Sequence, residues 1–365
     1  MQRIAQIYNG YVMVIGMTSY LNVGGKFKQT RITQAYALVI NAVTLTLLPG
    51  ALWESARTMT MVDWVPSFVW TIPYVVHSIS YAVIAYTLIS RCYRDAMLLD
   101  LELVIKQLNR EMLRTGKQMN SKLQRLFLLK TFTLTYLCFA YMMSIFVWRW
   151  GHSWAYIMKA LLINMSFNIL IASTYFYFVS LWQIARGYDF VNQQLQEITS
   201  ANWNDFKEQA EELRSLWALH ANLSRTAERI NRHYGPQMLA SRFDHFIFSI
   251  INGYLGTVNA RYDDCSSVEN VFGFFLYCIR SLDFFLNDYI CDLMTQYQSE
   301  VKTYITEGQM SKELSSYVIY EHSMRLNLLV CGLYPANRNK WMHMIASIII
   351  HSSLLLQFHL IMTKK

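Results

Sequence analysis

Charge is the scarcest property of this sequence. Only 15% of its 365 residues are Asp, Glu, Lys or Arg, against roughly 25% in soluble domains. A soluble chain of this length would form two domains with solvated surfaces, and there are too few charges here to cover them. Five prolines and fourteen glycines exclude collagen, linker arrays and low-complexity tails. The six cysteines (Cys92, Cys138, Cys265, Cys278, Cys291 and Cys331) show no CxxC and no paired spacing. That argues against a disulfide framework and against a zinc site. Also missing are Gly-x-Ser-x-Gly, a phosphate-binding P-loop, His-Glu-x-x-His and a strand–helix Gly-x-Gly-x-x-Gly, so no motif argues for an enzyme.

Apolar residues are abundant: 54% of the chain is hydrophobic and 15% aromatic, with a mean hydropathy of +0.19. That intermediate value predicts membrane spans separated by polar segments. A bilayer core of roughly 30 Å needs about 20 mostly apolar residues in a helix. Seven windows qualify: Ala35–Trp53, Phe68–Ser90, Leu126–Trp148, Tyr156–Trp182, Leu239–Asn259, Val268–Ile290 and Trp341–Met362. The fifth and sixth are the weakest, because they contain ionisable residues. Trp53, Trp64, Trp70, Trp148, Trp150, Trp154, Trp182 and Trp341 fall near predicted span ends, where an indole keeps its ring apolar and its N–H wet. Ile7–Leu21 is apolar but short and holds Asn9, Gly10 and Gly16. It reads as an interfacial or re-entrant piece rather than an eighth span or a signal peptide.

Lys and Arg concentrate in alternate loops. Arg3, Lys26, Lys28 and Arg31 precede the first span, and further clusters run from Arg91 to Arg125, Arg186 to Arg232 and Lys302 to Lys340. The opposite side has Arg57, Arg149, Lys364 and Lys365. The positive-inside rule then places the N-terminus in the cytoplasm, and seven spans place the C-terminus outside. The expected class is an all-α polytopic membrane protein with seven transmembrane helices. This orientation is the reverse of a G-protein-coupled receptor's. The net charge of +8 needs no nucleic-acid partner, since anionic inner-leaflet lipid favours basic cytoplasmic loops. Asn222-Leu223-Ser224 matches a glycosylation sequon, which a cytoplasmic position would leave unused.

Phe206, Ala210, Leu213, Trp217, His220, Leu223, Ala227, Ile230 and Tyr234 recur every three or four residues, with Glu208, Glu211, Glu212, Arg225 and Arg229 between them. That is an amphipathic helix, expected to end at Gly235-Pro236. Its apolar face packs against neighbouring cytoplasmic helices or joins subunits beneath the membrane.

Ionisable residues within spans usually face protein or water. Lys130 and Lys159 lie near span ends and are expected to snorkel. Arg280 and Asp283 are one turn apart in the sixth window. They suggest a pair on one helix face, joined by Asp244, or else a coupling element between pocket and gate. Asp263, Asp264 and Glu269 crowd a short external loop and are expected to be solvated. On a wheel of roughly 100° per residue, the last window places His343, Ser347, His351, Ser353 and Gln357 in one arc, together with Ile350, Leu354 and Ile361. Ser352 and His359 are exceptions on the apolar side. A polar stripe either glues helices together or lines water. The eight-residue steps between His343, His351 and His359 drift around the helix, so a metal site is not expected.

At the last loop and span, Cys331-Gly332-Leu333-Tyr334, then Asn337, then the helix carrying Leu354, Leu355, Leu356 and Gln357-Phe358, the chain resembles the insect gustatory receptor family. Ile230-Asn231 and Tyr234-Gly235 resemble that family's approach to its fifth helix. The family's Thr-Tyr pair is replaced by Ile350 and His351. The resemblance implies a taste chemoreceptor that is a ligand-gated, non-selective cation channel. It implies a homo- or hetero-tetramer with related receptors, in the plasma membrane of a sensory neuron. Its pore would be lined by His343, Ser347, Ile350, His351, Leu354, Gln357 and Phe358. Residues 1–34 would form a cytoplasmic N-terminal segment. Residues 35–290 would form a six-helix ligand-sensing domain with cytoplasmic helical extensions, 291–340 a cytoplasmic connector, and 341–365 the pore helix with an external C-terminus. Trp70, Tyr74, Phe146, Tyr156, Phe272 and Tyr277 are candidate aromatics around a small tastant. No cofactor or metal is implied. The rival reading is a polytopic transporter or membrane enzyme centred on Asp244, Arg280 and Asp283.

Overall fold

The computed structural model describes residues 2–23, 26–60, 70–117, 119–149, 153–200, 206–262, 267–305 and 326–363. The chain is helical almost throughout. In order it forms α1 (Gln2–Val14), a hairpin of β1 (Tyr20–Val23) and β2 (Lys26–Gln29), α2 (Arg31–Thr60), α3 (Ile72–Ile89) and α4 (Arg91–Thr115). There follow α5 (Ser121–Arg149), α6 (Trp154–Ser200), α7 (Phe206–Tyr262), α8 (Ser267–Ile305), a second hairpin of β3 (Leu329–Val330) and β4 (Tyr334–Pro335), and α9 (Arg338–Thr363). Both hairpins are antiparallel.

Six of the seven predicted windows fall within one long helix each, α2, α5, α6, α7, α8 or α9; of the second, Ile72–Ile89 forms α3, Trp70, Thr71 and Ser90 flank it, and residues 68–69 lie outside the described residues. Among the described residues, five helices are long and apolar enough to cross a membrane: α2, α3, α5, α6 and α9. The other two, α7 and α8, are the weak fifth and sixth windows, and the charges they carry are what lowers their hydropathy.

Helix length explains the architecture. At 1.5 Å per residue, the 47 residues of α6, 57 of α7 and 39 of α8 far exceed the roughly 20 needed for a bilayer. The C-terminal part of α6, the N-terminal part of α7 and the C-terminal part of α8 therefore project from the bundle. With α4 and the base of α5 they enclose the largest core, which contains Leu108, Leu123, Tyr188, Leu223, Ile230, Tyr234, Ile290 and Met294. We call this the basal layer. A second core joins Val12, Ile15 and Met17 to Leu48 and Leu52 of α2, Ile84 and Leu88 of α3, and Ile169 of α6. The Ile7–Leu21 stretch thus packs into the bundle as a short helix and turn. Tyr8 hydrogen-bonds Thr135 of α5 and packs on Tyr175 at 5.0 Å.

The amphipathic reading of α7 holds: Leu213, Leu223, Ala227, Ile230 and Tyr234 are buried, and Glu211, Glu212, Arg225 and Arg229 are exposed. The expected stop at Gly235-Pro236 does not occur, because Pro236 lies inside one continuous helix. Proline removes one backbone donor and crowds the preceding turn, and here packing on both sides carries the helix through. Gly235 also has a packing reason. A Cβ there would lie 3.4 Å from the backbone nitrogen and Sγ of Cys331, so the second hairpin rests directly on α7.

That hairpin explains the two sequence stretches near residues 230 and 331. Cys331 (φ 49) and Gly332 (φ 73) make its left-handed turn, a conformation that glycine adopts without strain. Asn231 Nδ2 donates to the Leu329 carbonyl at 2.9 Å, and the Arg242 guanidinium sits 5.4 Å from the centroid of the Tyr334 ring. The stretches are far apart in the chain and in contact in the fold.

Candidate functional site

Three buried ion pairs link the helices where the bundle meets the basal layer. Lys130 of α5 pairs with Asp283 of α8 at 2.7 Å, and its ammonium also donates to the Asp283 carbonyl at 2.9 Å. The Thr133 hydroxyl completes the carboxylate's shell at 2.7 Å. Arg280 of α8 donates to Asp244 of α7 at 2.8 Å, and its guanidinium lies 4.5 Å from the centroid of the Phe248 ring. Arg242 of α7 pairs with Asp288 of α8. Isolated charges would be expelled from this apolar interior; paired and hydrogen-bonded ones can stay.

Two expectations are corrected here. Lys130 does not snorkel: it is fully buried, because a counter-charge is within reach and solvent is not. Nor do Arg280 and Asp283 pair along one helix face. Each instead takes a partner on another helix, Asp244 and Lys130 respectively, so the charges bind α5, α7 and α8 to one another. Lys159 does lie near a helix end, and its exposed ammonium meets Glu54.

The Asp244–Arg280 pair borders a cavity of about 30 Å³. Its walls come from α3 (Ser80, Val83), α5 (Leu137, Tyr141), α6 (Phe167, Leu170, Thr174), α7 (Ser241, Asp244) and α8 (Arg280, Asp283, Phe284). The Ser80 hydroxyl donates to Asp244 Oδ1 at 3.4 Å. None of the five candidate aromatics whose side chains are described lines this space. Trp70 and Tyr156 are exposed, while Tyr74, Phe272 and Tyr277 are half-buried. Tyr74 packs on Trp53 at 4.8 Å, and Tyr277 stacks on His245 at 6.3 Å. The Phe146 side chain, Asp263, Asp264 and the Glu269 side chain lie outside the described residues. The wall residues Tyr141, Ser241 and Thr174 gave no sequence signal. Lys130 stood out in its apolar window, but its place near a span end pointed to snorkelling rather than to a buried acid.

The last helix forms the second candidate region. His343, Ile350, His351, Leu354, Gln357 and Phe358 of the predicted arc are exposed in the single chain, and Ser347 is half-buried. The two exceptions, Ser352 and His359, are the docking contacts of α9. The Ser352 hydroxyl donates to the Ile250 carbonyl at 3.1 Å, and the Tyr254 hydroxyl meets His359 Nδ1 at 3.0 Å. A Cβ on Gly253 would lie only 2.8 Å from Ser352 Oγ, so glycine is what lets the two helices come so close. At its base α9 is held by Arg338 on Asp292 and by Trp341, stacked 5.7 Å from His245.

A long-helix bundle with a basal layer, a small cavity beside a buried ion pair and a last helix whose polar arc faces away from its own chain is the architecture of a multi-pass membrane protein. The family model of the 7tm chemosensory receptors matches residues 5–362, and the chain belongs to that family, which comprises receptors rather than enzymes. Within it the chain is similar to a putative gustatory receptor. It is 59% identical over 298 residues to putative gustatory receptor 59b of Drosophila erecta, covering 81% of this chain and 51% of that protein. The chain thus spans about half the length of that relative. The fold is similar to that of the insect olfactory receptor OR5 from Machilis hrabei. In complex with eugenol, that receptor superposes with a TM-score of 0.69 at 12% identity over 98% of both chains. Without the ligand it gives 0.68 at 13% identity, over 98% of this chain and 97% of that one.

Proposed function

We propose that this chain is a subunit of a taste receptor that opens as a ligand-gated, non-selective cation channel in the plasma membrane of a sensory neuron, mediating acceptance or avoidance of tastants. The basal layer is cytoplasmic, in keeping with the basic residues that gather there. Several copies, in a homo- or hetero-tetramer with related receptors, surround one pore, and the arc from His343 to Phe358 on each α9 lines it. A small tastant binds among the first six spans and favours the arrangement in which the last helices stand apart, since only differential affinity shifts such an equilibrium.

One observation carries this reading. Only 6% of the apolar window of α9 is buried within its own chain, and the residues turned away include His351 and Gln357. A polar arc facing lipid would be costly, whereas a shared water path accounts for it. The apolar residues Ile350, Leu354 and Ile361 on the same arc supply a constriction that closes by dewetting.

The test is recording from excised patches containing this chain, without added nucleotide, against a ligand panel. Ligand-evoked current is expected, with permeability altered by His351→Ala or Gln357→Ala. Normal permeation after both changes removes the pore assignment. The Asp244–Arg280 pair beside a cavity supports a second reading, a transporter. Substrate flux without unitary current, lost in Asp244→Asn, would select it.

A further inference from the structure

Two cations converge on one ring at the foot of the last helix. The Lys122 ammonium of α5 lies 5.9 Å from the centroid of the Tyr289 ring on α8, and the Arg338 guanidinium of α9 lies 5.3 Å from it. Arg125 follows Lys122 by one turn and shares its helix face. All three side chains are exposed. Their height is that of the bilayer rim: Lys122 and Arg125 precede Leu126, and Arg338 precedes Trp341, the first residues of two predicted spans. Long basic side chains at that level reach the headgroups.

The charge on this edge is unbalanced. Arg338 meets Asp292, but among the described residues neither Lys122 nor Arg125 makes an ion pair. Other basic residues of the basal layer do, as Lys117 does with Glu197 and Arg229 with Asp100, both at 2.9 Å. Asp189, approached by Asn120 at 3.5 Å, is half-buried and takes a hydrogen bond from Gln193 at 3.0 Å. Three cations against one acid leave two positive charges uncompensated.

Beyond the cations the surface turns apolar. At roughly 100° per residue, Leu129, Phe132 and Tyr136 continue the arc of Lys122 and Arg125 along α5, and Leu129 and Phe132 are exposed. On α9, Met342 and Ile349 share the side of Arg338, clear of the arc from His343 to Phe358, and are exposed as well. The helix that packs against both is α8, where Phe285 lies 5.9 Å from Tyr289 and 6.2 Å from Trp341.

We propose that this edge of α5, α8 and α9 binds one anionic phospholipid of the cytoplasmic leaflet whose headgroup carries a phosphate monoester. The phosphate lies among Lys122, Arg125 and Arg338, and the acyl chains follow Leu129, Phe132 and Met342. Charge selects the headgroup. A phosphate monoester carries roughly −1.5 to −2 at neutral pH, which matches the two uncompensated charges, whereas a zwitterionic headgroup brings no net charge. Guanidinium groups suit it further, since their fork matches phosphate oxygens in pairs. The apolar continuation selects a lipid over a free anion. From the channel reading the proposal takes only the orientation of the chain.

The probes are dioctanoyl phosphatidic acid, dioctanoyl phosphatidylcholine and glycerol 3-phosphate, which keeps the phosphate and lacks the chains. Binding is read as the concentration-dependent rise in melting temperature of the purified full chain in uncharged detergent micelles. Phosphatidic acid is expected to bind roughly tenfold or more tightly than either of the others. Lys122→Gln combined with Arg125→Gln alters two exposed side chains outside any ion pair. It should leave the lipid-free melting temperature unchanged, weaken phosphatidic acid by about tenfold or more and leave phosphatidylcholine as it was. Equal binding of the two lipids, the result if ordinary bilayer lipid or a second copy covers this edge, would overturn the proposal. So would glycerol 3-phosphate binding as tightly as phosphatidic acid, or unchanged affinity in the double variant. The comparison of probes on the unaltered chain stands even if that variant does not fold. Current in patches separates this proposal from the channel reading. Selective binding of phosphatidic acid by a chain that passes no current retires the channel and keeps the lipid site. Ligand-evoked current with equal binding of the two lipids retires the lipid site and keeps the channel.

Discussion

The basal layer and the last helix of this receptor solve opposite problems. In the basal layer every helix has neighbours on several sides: Tyr188, Leu223, Ile230, Tyr234 and Met294 are almost wholly buried, and Gly187 lets α6 and α7 close on each other. On α9, Ile349, Ile350, Leu354 and Ile361 are more than half exposed in the single chain, and contact is confined to one face and a few anchors. The first region can set the shape of the protomer alone. The second leaves one face uncovered within the single chain, where the proposed assembly would place other copies.

If that division is right, damage to the interior should be felt as stability and damage to the outer face of α9 as permeation. The largest effect is expected where the bundle meets the basal layer. Lys130→Ala leaves Asp283 charged and buried, and should cost about 3–5 kcal/mol. The double change Lys130→Met with Asp283→Leu should recover most of it, and thermal melting of the purified protein measures both.

Acid should weaken the basal layer next. Burial holds the His220 imidazole down to about 4, packed at 5.1 Å on Tyr188, whereas in the unfolded chain it titrates near 6.5. The unfolded state then binds the extra proton first. Stability is unaffected above pH 6.5 and falls as pH drops from there towards 4, by an amount on the order of 3 kcal/mol at the lower limit. His220→Leu should flatten that part of the melting-temperature profile; an unchanged slope would show that another group is responsible.

Gly187→Ala tests the close approach in the basal layer. The added Cβ would lie 2.7 Å from both Leu223 methyl carbons, and overpacking of this kind costs roughly 1–3 kcal/mol. Leu223→Ala in the same chain should relieve the clash while opening a void of its own, so the two changes should not add. Smallest for stability is Ile350→Thr on the exposed arc of α9, expected to shift unfolding by about 0.5 kcal/mol or less while changing permeability in patches. A large loss of stability with unaltered permeation would place that face in ordinary packing and erase the contrast drawn here.

Much of this was legible beforehand, for reasons that differ by element. The windows in α2, α3, α5, α6 and α9 are long runs of apolar residues, and such runs can only be satisfied as buried or lipid-facing helix. The outward arc of α9 was readable because polar groups at helical spacing have few places to go. The reach of α7 through Pro236 was not: the local rule for proline is a weak penalty beside packing along a helix of 57 residues. The partners of Lys130 and Arg280 were hidden for another reason. Each charge has to find an opposite charge, but Asp244 and Asp283 were both candidates, and which one lies within 3 Å depends on the rotation and height of helices that do not touch in sequence.

Composition and periodicity, then, were sufficient to establish a helical membrane protein, the approximate places of its long apolar helices and the polar arc on its last helix, because hydration of side chains is a local property that accumulates along the chain. Packing alone arranged the ion pairs, joined Asn231 to the hairpin at Leu329 and brought Lys122 and Arg338 to the one ring of Tyr289. Those outcomes hang on distances of a few ångströms between segments far apart in sequence, and no hydropathy pattern encodes them.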